Sequence, residues 1–219
     1  VHCTFCAIAE DQQMPNKKKI ISRVNAYHGS TYIAATLTGI EATKYSFDAV
    51  GQDWISYVSA ADMYRRPAGS DGLSEHQYSQ YLCNELEEHI IQNGSENIAA
   101  FIAEPIMGCG GQVVLPKDYL KEMFRYTRSK GALCIADEVQ IGFGRVGTHF
   151  WGFEQHDVVP DIVILGEPMG NGHPMAAVVC SDEVALAFEN GMEFFSSFGG
   201  NPVSCAIGTA VLDVIEEEQ

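Results

Sequence analysis

The chain has 219 residues, which is enough for one large domain or two small ones with a substantial core. Hydrophobic residues at 46% and charged residues at 19% are typical of a soluble globular protein, and no apolar run approaches the roughly 18 residues of a membrane helix. A formal net charge of -16 at pH 7 disfavours nucleic acid as a partner, because binding to phosphates needs clustered Lys and Arg.

The first residues of the chain carry few signals. Residues 1–10 have neither a basic start nor a sustained apolar core, so we expect no secretory signal and a cytoplasmic location. Cys3 and Cys6 have the spacing of a zinc half-site, but no second pair follows at ligand spacing, and we predict no metal. The chain begins without Met and stops within a helical pattern. We therefore expect a single large domain over residues 1–219, truncated at both ends, in which residues 1–17 have no clear assignment.

Apolar runs of strand length alternate with segments of helical period. This alternation predicts an α/β fold with a mostly parallel, doubly wound sheet, in which ligands bind beyond the carboxyl ends of the strands. Ser74 and Gln77 have the spacing of a capping box that opens a helix, whereas breakers in residues 41–72 predict a long, mostly irregular connection. Predicted strands cover residues 18–24, 98–103, the run that ends at 137, 161–165, 176–180 and 193–197, and predicted helices cover about 30–38, 74–93, 116–130, 181–191 and the segment from 202 onward.

The stretch 132–141 contains the residue around which a site could be organised. A short apolar run after Gly131 leads into Asp137, and this pattern is typical of a buried strand of a parallel sheet. A carboxylate at the edge of an apolar interior is costly without a partner. Asp137 is therefore either a ligand-binding residue at a strand end or a residue that caps the following turn.

Two familiar kinds of site are disfavoured by the sequence. Residues 142–147 match the dinucleotide-binding pattern Gly-x-Gly-x-x-Gly, but the aromatic segment that follows, broken by Gly152, is a poor start for the helix that this motif requires. The nucleophile pattern Gly-x-Ser-x-Gly of serine hydrolases does not occur.

The residues at the predicted strand ends suit a flat, polar heteroaromatic ring. Tyr27 or His28 could stack on one face of such a ring while Val139 packs on the other. Asp137 could bond a ring nitrogen and keep it protonated, and Gln140 could bond a ring hydroxyl. A protonated pyridine ring is an electron sink, which is how pyridoxal phosphate stabilises a carbanion.

Four motifs occur in order between residue 18 and the end of the chain. They are Tyr27-His28-Gly29, Glu104-Pro105 with Gly110-Gly111, Asp137-Glu138-Val139-Gln140 with Gly142-Phe143-Gly144-Arg145, and Gly199-Gly200-Asn201-Pro202. Together they resemble class III aminotransferases, which are pyridoxal 5'-phosphate enzymes of fold type I. Residues 19–39 are most similar to the omega-amino-acid:pyruvate branch. Residues 168–174 and 199–205 are more similar to the branch that contains the ethanolamine-phosphate and phosphohydroxylysine phospho-lyases.

The resemblance implies a role for each residue that contacts the cofactor ring. Asp137 would pair with the pyridinium nitrogen, and Gln140 would contact the ring hydroxyl. Val139 and the pair Tyr27-His28 would hold the ring between them.

The resemblance also implies the partners of the protein. Glu104 would line the side of the site where an amine or amino acid and a keto acid bind. Ser197 falls where the family often has a threonine that reaches the cofactor phosphate of the neighbouring subunit. A homodimer with shared active sites is therefore expected.

The sequence departs from the family at the residue that should carry the chemistry. The family's Schiff-base lysine stands in a Gly-Lys-Pro context, and this chain has Glu167 between Gly166 and Pro168. Glutamate has no amine with which to form a Schiff base, so we expect this chain to be inactive. Three functions stay open for a protein of this type, namely an aminotransferase, a phospho-lyase acting on a phosphorylated amine, and a non-catalytic dimer scaffold.

Overall fold

A computed structural model describes residues 14, 16–46, 53–189 and 193–218, so Cys3 and Cys6 lie outside the described residues. Strands and helices alternate through most of the described part of the chain. The strands are β1 (Lys19–Arg23), β2 (Ile55–Val58), β3 (Ile98–Ala103), β4 (Ile106–Met107), β5 (Val113–Val114), β6 (Leu133–Asp137), β7 (Ile162–Leu165) and β8 (Ala177–Cys180), and the α-helices are α1 (Tyr32–Leu37), α2 (Glu75–Asn93), α3 (Tyr119–Ser129), α4 (Asp182–Phe188) and α5 (Pro202–Glu217).

A six-stranded sheet with the order β2-β1-β3-β6-β7-β8 organises the fold. Its first five strands are parallel, and β8 runs antiparallel to β7 at the edge. The short strands β4 and β5 form a separate antiparallel pair just after β3. The prediction of a mostly parallel α/β sheet is confirmed.

Successive residues of a strand point to opposite faces of the sheet, so an apolar strand such as β3 places apolar side chains on both faces. Within β3, Phe101 belongs to a large core cluster that includes Leu82 of α2 and Phe124 of α3. Its neighbour Ile102 belongs to a second cluster on the other face, which includes Val184 of α4. Helices on both faces of a parallel sheet make this a doubly wound fold. No helix in the described part of the chain combines the length and hydropathy needed to cross a membrane.

Local sequence signals correctly identified the start of one helix and misplaced another. The Ser74 hydroxyl accepts the Gln77 N–H (3.3 Å), and the Gln77 side chain accepts the Ser74 N–H (2.9 Å), which forms the predicted capping box of α2. The helix expected from residue 116 starts at Tyr119 instead, because its N-cap Asp118 has a left-handed backbone with φ of 64°.

Two of the sequence predictions were wrong for lack of long-range information. The connection 41–72 contains β2, which pairs in parallel with β1, whereas we expected an irregular segment. The four residues of β2 are too few to show a period, and pairing with a neighbouring strand makes them a strand. Conversely, the strand expected at 193–197 does not form, since these exposed residues have no neighbouring strand among the described residues with which to pair.

Candidate active site

The parallel strands bring predicted site residues from distant parts of the sequence to one edge of the sheet. Asp137 is the last residue of β6, Glu104 follows β3 directly, and Gly166 follows β7. The turn with Tyr27 and His28 follows β1. Since the strands run in the same direction, their carboxyl ends meet, which is where ligands bind in such sheets.

Asp137 is buried and its carboxylate is bonded from two directions. Its Oδ2 lies 2.7 Å from His28 Nδ1, and its Oδ1 accepts the Val139 N–H at 3.1 Å. The backbone N–H of His28 donates to the Thr38 hydroxyl (2.9 Å). This bond fixes the backbone from which the imidazole projects. Both readings of Asp137 from the sequence therefore apply, because it caps the following turn and also stands at a strand end with a ring partner.

The orientation of His28 gives the two residues of the predicted stacking pair different roles. The edge of its imidazole faces Asp137, while Nε2 is buried and has no hydrogen-bond partner among the described residues. His28 thus acts as a partner of Asp137 within this chain. Tyr27 is the member of the pair that is left to stack on a ring, and this stacking stays a prediction.

Glu104 connects two loops through its carboxylate. Oε1 accepts the Tyr27 N–H (3.1 Å) and Oε2 accepts the Gly108 N–H (2.9 Å), while the buried Arg23 donates to the Glu104 carbonyl (2.7 Å). These bonds hold the Tyr27-His28 turn against the glycine-rich turn. The contact of Glu104 with substrate stays a prediction, and the structure adds this loop-positioning role.

Val139 and Gln140 lie against glycines that leave room for them. A Cβ added at Gly166 would stand 2.7 Å from Val139 Cγ1, and one added at Gly108 would stand 1.4 Å from Gln140 Oε1. Any larger residue would displace these side chains. The two glycines therefore set where Val139 and Gln140 stand beside Asp137.

Glu167 opens a short 3-10 turn, Glu167–Gly170, and its side chain is exposed. Arg145 braces this turn by donating to the carbonyls of Gly142 (3.0 Å) and Pro168 (3.1 Å). No ion pair or side-chain hydrogen bond of Glu167 is found within the described part of the chain. The carboxylate is thus available to a ligand.

Glu138 is a residue of this site that sequence reasoning missed. Its carboxylate is buried, with Oε2 accepting the Gly152 N–H (2.9 Å) and Oε1 accepting the Phe153 N–H (2.8 Å). Burial raises the pKa of this carboxyl, and the two amides oppose that rise. Glu138 ties the loop after β6 to the residues 152–156. A second acidic residue directly after a buried strand was the signal that could have revealed it.

Ser197 is not brought to the other predicted residues. It is exposed and lines a separate open cavity of about 830 Å³ between the turn at 173–176 and the start of α5. The lining of that cavity includes none of the strand-end residues described above. Its predicted contact with a neighbouring subunit stays a prediction.

Comparison with known proteins identifies the family. The sequence model described as aminotransferase class-III matches residues 4–219. The chain belongs to the class III aminotransferase family. Its fold is that of the family's solved transaminases, which are fold type I enzymes, as expected. The omega transaminase from Pseudomonas jessenii in complex with PMP matches with a TM-score of 0.92 and 35% identity over 98% of this chain and 48% of that one.

Curated relatives of this class III chain include enzymes of two names. The human mitochondrial alanine–glyoxylate aminotransferase 2 is 40% identical over 218 residues, which cover 93% of this chain and 42% of the relative. The Caenorhabditis elegans ethanolamine-phosphate phospho-lyase homolog 1 is 37% identical over 210 residues, which cover 89% of this chain and 44% of the relative. The chain therefore spans less than half the length of these curated relatives.

Proposed function

We propose that this chain provides the cofactor-binding part of a pyridoxal-phosphate-dependent aminotransferase. With a lysine in place of Glu167, the reaction would move an amino group from an amine or omega-amino acid to a keto acid such as pyruvate. The observation that carries the proposal is the buried pair formed by Asp137 and His28 at the carboxyl end of β6. A carboxylate held there in one orientation suits a protonated ring nitrogen better than it suits any neutral ligand.

The ring-side residues fit this cofactor. Asp137 would receive the ring N–H, with His28 holding the carboxylate in place through its hydrogen bond to Oδ2. Val139, packed on Gly166, offers an apolar surface for one face of the ring, and Tyr27 offers an aromatic one for the other. When bound, the cofactor supplies an electron sink for the reacting carbon.

The residue at position 167 does not fit the aldehyde form of the cofactor. Glu167 has no amine and adds a negative charge to an edge of the sheet that already carries Asp137 and Glu104. We therefore propose that this chain does not turn over substrate.

Two other functions are supported by particular observations. The similarity to the phospho-lyase homolog of Caenorhabditis elegans supports elimination of phosphate from a phosphorylated amine. Glu167 supports a non-catalytic scaffold, whereas the buried Asp137 disfavours it, since a scaffold has no need of a partner for a ring nitrogen. We also propose a cytoplasmic homodimer with shared active sites. Support for the dimer comes from the exposed position of Ser197, away from the strand-end residues.

The test is to introduce Glu167→Lys into the full-length protein and to assay two reactions. Transfer of amino groups to pyruvate would support the aminotransferase, and release of phosphate from phosphoethanolamine would support the phospho-lyase. The Glu167→Gln variant is the matched control, because it removes the charge without supplying an amine. If Glu167→Lys retains no cofactor and catalyses neither reaction, the enzymatic proposals fail and the scaffold is favoured.

A further inference from the structure

The replacement of the family's lysine by Glu167 does more than remove an amine, because it places a hydrogen-bond acceptor at that position. The following inference rests on the proposed cofactor site and concerns which chemical form of the cofactor that site accepts. In the family, position 167 holds an amine beside the reactive carbon of the cofactor. In this chain the same position holds a carboxylate, so the sign of the charge is reversed.

The backbone around Glu167 is held close to the ring-side residues. Gly166 lies against Val139, whose N–H donates to Asp137 (3.1 Å), and the Ile164 carbonyl accepts the Glu138 N–H (3.0 Å). The turn after Gly166 is also held by Arg145, which donates to the Pro168 carbonyl (3.1 Å). Glu167 is therefore attached to a positioned segment and does not sit on a free loop.

The Glu167 carboxylate has acceptor capacity that the chain leaves unused. Among the described residues it forms no ion pair, since the guanidinium of Arg145 is directed to the carbonyls of Gly142 and Pro168 and lies 3.5 Å from Asn171 Oδ1. The carboxylates of Asp137 and Glu104, by contrast, already accept hydrogen bonds from His28 and from backbone amides of the chain. Within the described part of the chain, no hydrogen-bond donor is found for the Glu167 carboxylate.

The two forms of the cofactor respond differently to such a carboxylate. The aldehyde of pyridoxal phosphate has no proton to donate, so it gains nothing from a carboxylate and is repelled through its own oxygen. The aminated form, pyridoxamine 5'-phosphate, carries an ammonium group with three N–H donors at neutral pH. A hydrogen bond between an ammonium and a carboxylate is among the stronger ones available to a protein.

We propose that this chain selects the aminated form of the cofactor, pyridoxamine 5'-phosphate, and holds it non-covalently with Glu167 as the acceptor for its amine. Asp137 would bond the ring nitrogen of either form and so would not discriminate between them. The selectivity would therefore reside in Glu167 alone. If instead Glu167 only faces solvent, the chain will bind both forms equally.

The experiment compares three ligands by equilibrium dialysis against the 219-residue chain. They are pyridoxamine 5'-phosphate, pyridoxal 5'-phosphate, and 4'-deoxypyridoxine 5'-phosphate, which lacks both the amine and the aldehyde. The deoxy compound is the reference because it cannot react with surface lysines. We expect the amine to bind about tenfold more tightly than the deoxy compound. Binding of the aldehyde, counted after correction for surface adducts, should be no tighter than binding of the deoxy compound.

The matched variant is Glu167→Gln, which keeps the size of the side chain and removes its charge. In this variant the preference for the amine should fall to within about twofold, through weaker binding of the amine while binding of the deoxy compound is unchanged. Equal binding of amine and deoxy compound by the unchanged chain would overturn the inference. Retention of the preference in Glu167→Gln would overturn it as well.

The Glu167→Lys variant separates failure of this inference from failure of the proposed function. After incubation with pyridoxal 5'-phosphate and reduction with borohydride, peptide mass spectrometry should find cofactor attached at position 167. If that attachment occurs and the unchanged chain shows no preference for the amine, the site exists and only the selectivity is wrong. If neither the unchanged chain nor Glu167→Lys retains any of the ligands, both proposals fail together.

Discussion

Two regions of the molecule differ in burial and in how far their side chains find partners within the chain. The side chains of the strand-end cluster, formed by His28, Glu104, Asp137 and Glu138, are buried, and every carboxylate oxygen in it has a partner within the chain. The exposed edge, residues 193–205, shows the opposite arrangement. Three of its aromatic side chains lie largely in solvent, at 73%, 78% and 83% exposure for Phe194, Phe195 and Phe198.

The difference teaches which part of the proposed site the chain can build alone. Buried carboxylates are tolerated only when they are hydrogen-bonded, and backbone amides of this chain, together with the His28 imidazole, supply those bonds. Large exposed apolar patches mark surfaces that bind another molecule. The strand-end cluster is thus a finished half-site, while the exposed edge, which contains Ser197, is the part that our proposed homodimer would complete.

The largest expected effect on stability comes from removing the Glu138 carboxylate from the strand-end cluster. The Glu138→Ala substitution should lower the free energy of unfolding by about 3 kcal/mol, because it leaves the buried N–H of Gly152 and the partly buried N–H of Phe153 without an acceptor. Urea unfolding followed by tryptophan fluorescence measures this. The control is Glu154→Ala, whose carboxylate accepts the N–H of Trp151 at an exposed position, and which should cost about 0.5 kcal/mol. Equal costs for the two variants would contradict the contrast between a buried anchor and an exposed cap.

A second substitution separates binding from stability inside the same cluster. Asp137→Asn should weaken binding of pyridoxamine 5'-phosphate about a hundredfold, because the negative partner of the ring nitrogen is lost. The free energy of unfolding should change by less than about 1 kcal/mol, since an amide can still accept the Val139 N–H and donate to His28. Dialysis and urea unfolding on the same preparation measure both quantities. A parallel loss of binding and stability would mean that Asp137 is a structural residue only.

A substitution in the exposed edge should change self-association and leave the stability of the monomer nearly unchanged. Phe198→Ser should leave the unfolding of the monomer nearly unchanged, because the side chain is 83% exposed. It should raise the dissociation constant of self-association about tenfold, measured by sedimentation equilibrium on the full-length protein. Tyr64→Ser is the control, because Tyr64 is 87% exposed and lies outside the exposed edge. The dimer proposal would be contradicted if the two substitutions had the same effect on association.

The smallest effect is a pH dependence of stability that arises outside the exposed edge. Burial lowers the pKa of His156 below its ordinary value of 6.5, and it also lowers the pKa of His89, where Glu85 opposes the shift. The unfolded chain therefore takes up protons at these residues at a higher pH than the folded chain does. Stability should fall as the pH drops from about 7.5 to about 5.8.

The variant His156→Gln isolates one of these contributions. Glutamine can donate to the Pro105 carbonyl, as His156 does, but it does not titrate. Unfolding in urea at both pH values should show a smaller loss of stability on acidification than in the unchanged chain. The same slope in both proteins would rule out a contribution from His156.

Glu138 affects the stability in the opposite sense and at lower pH. Its pKa in the folded chain is raised above the ordinary value of 4.5, so stability should fall as the pH rises above 4.5 and this carboxyl ionises.

The sequence by itself determined the features that depend on neighbouring residues. The alternation of apolar runs with helical periods was enough for the parallel α/β class, and the capping box of Ser74 and Gln77 was enough to locate the start of α2. The motif order from Tyr27 to Pro202 was enough for the family. Each of these signals is short in range, because side-chain period and capping act within a few residues.

The tertiary structure alone decided the features that depend on distant residues. His28 and Asp137 meet across 109 positions of sequence, and Glu104 finds the Tyr27 N–H across 77. The segment 55–58 forms a strand because β1 lies beside it, while 193–197 does not, because no strand of the described residues lies beside it. Hydrogen bonds between distant groups form only once packing has brought those groups together, and a linear pattern contains no measure of that proximity.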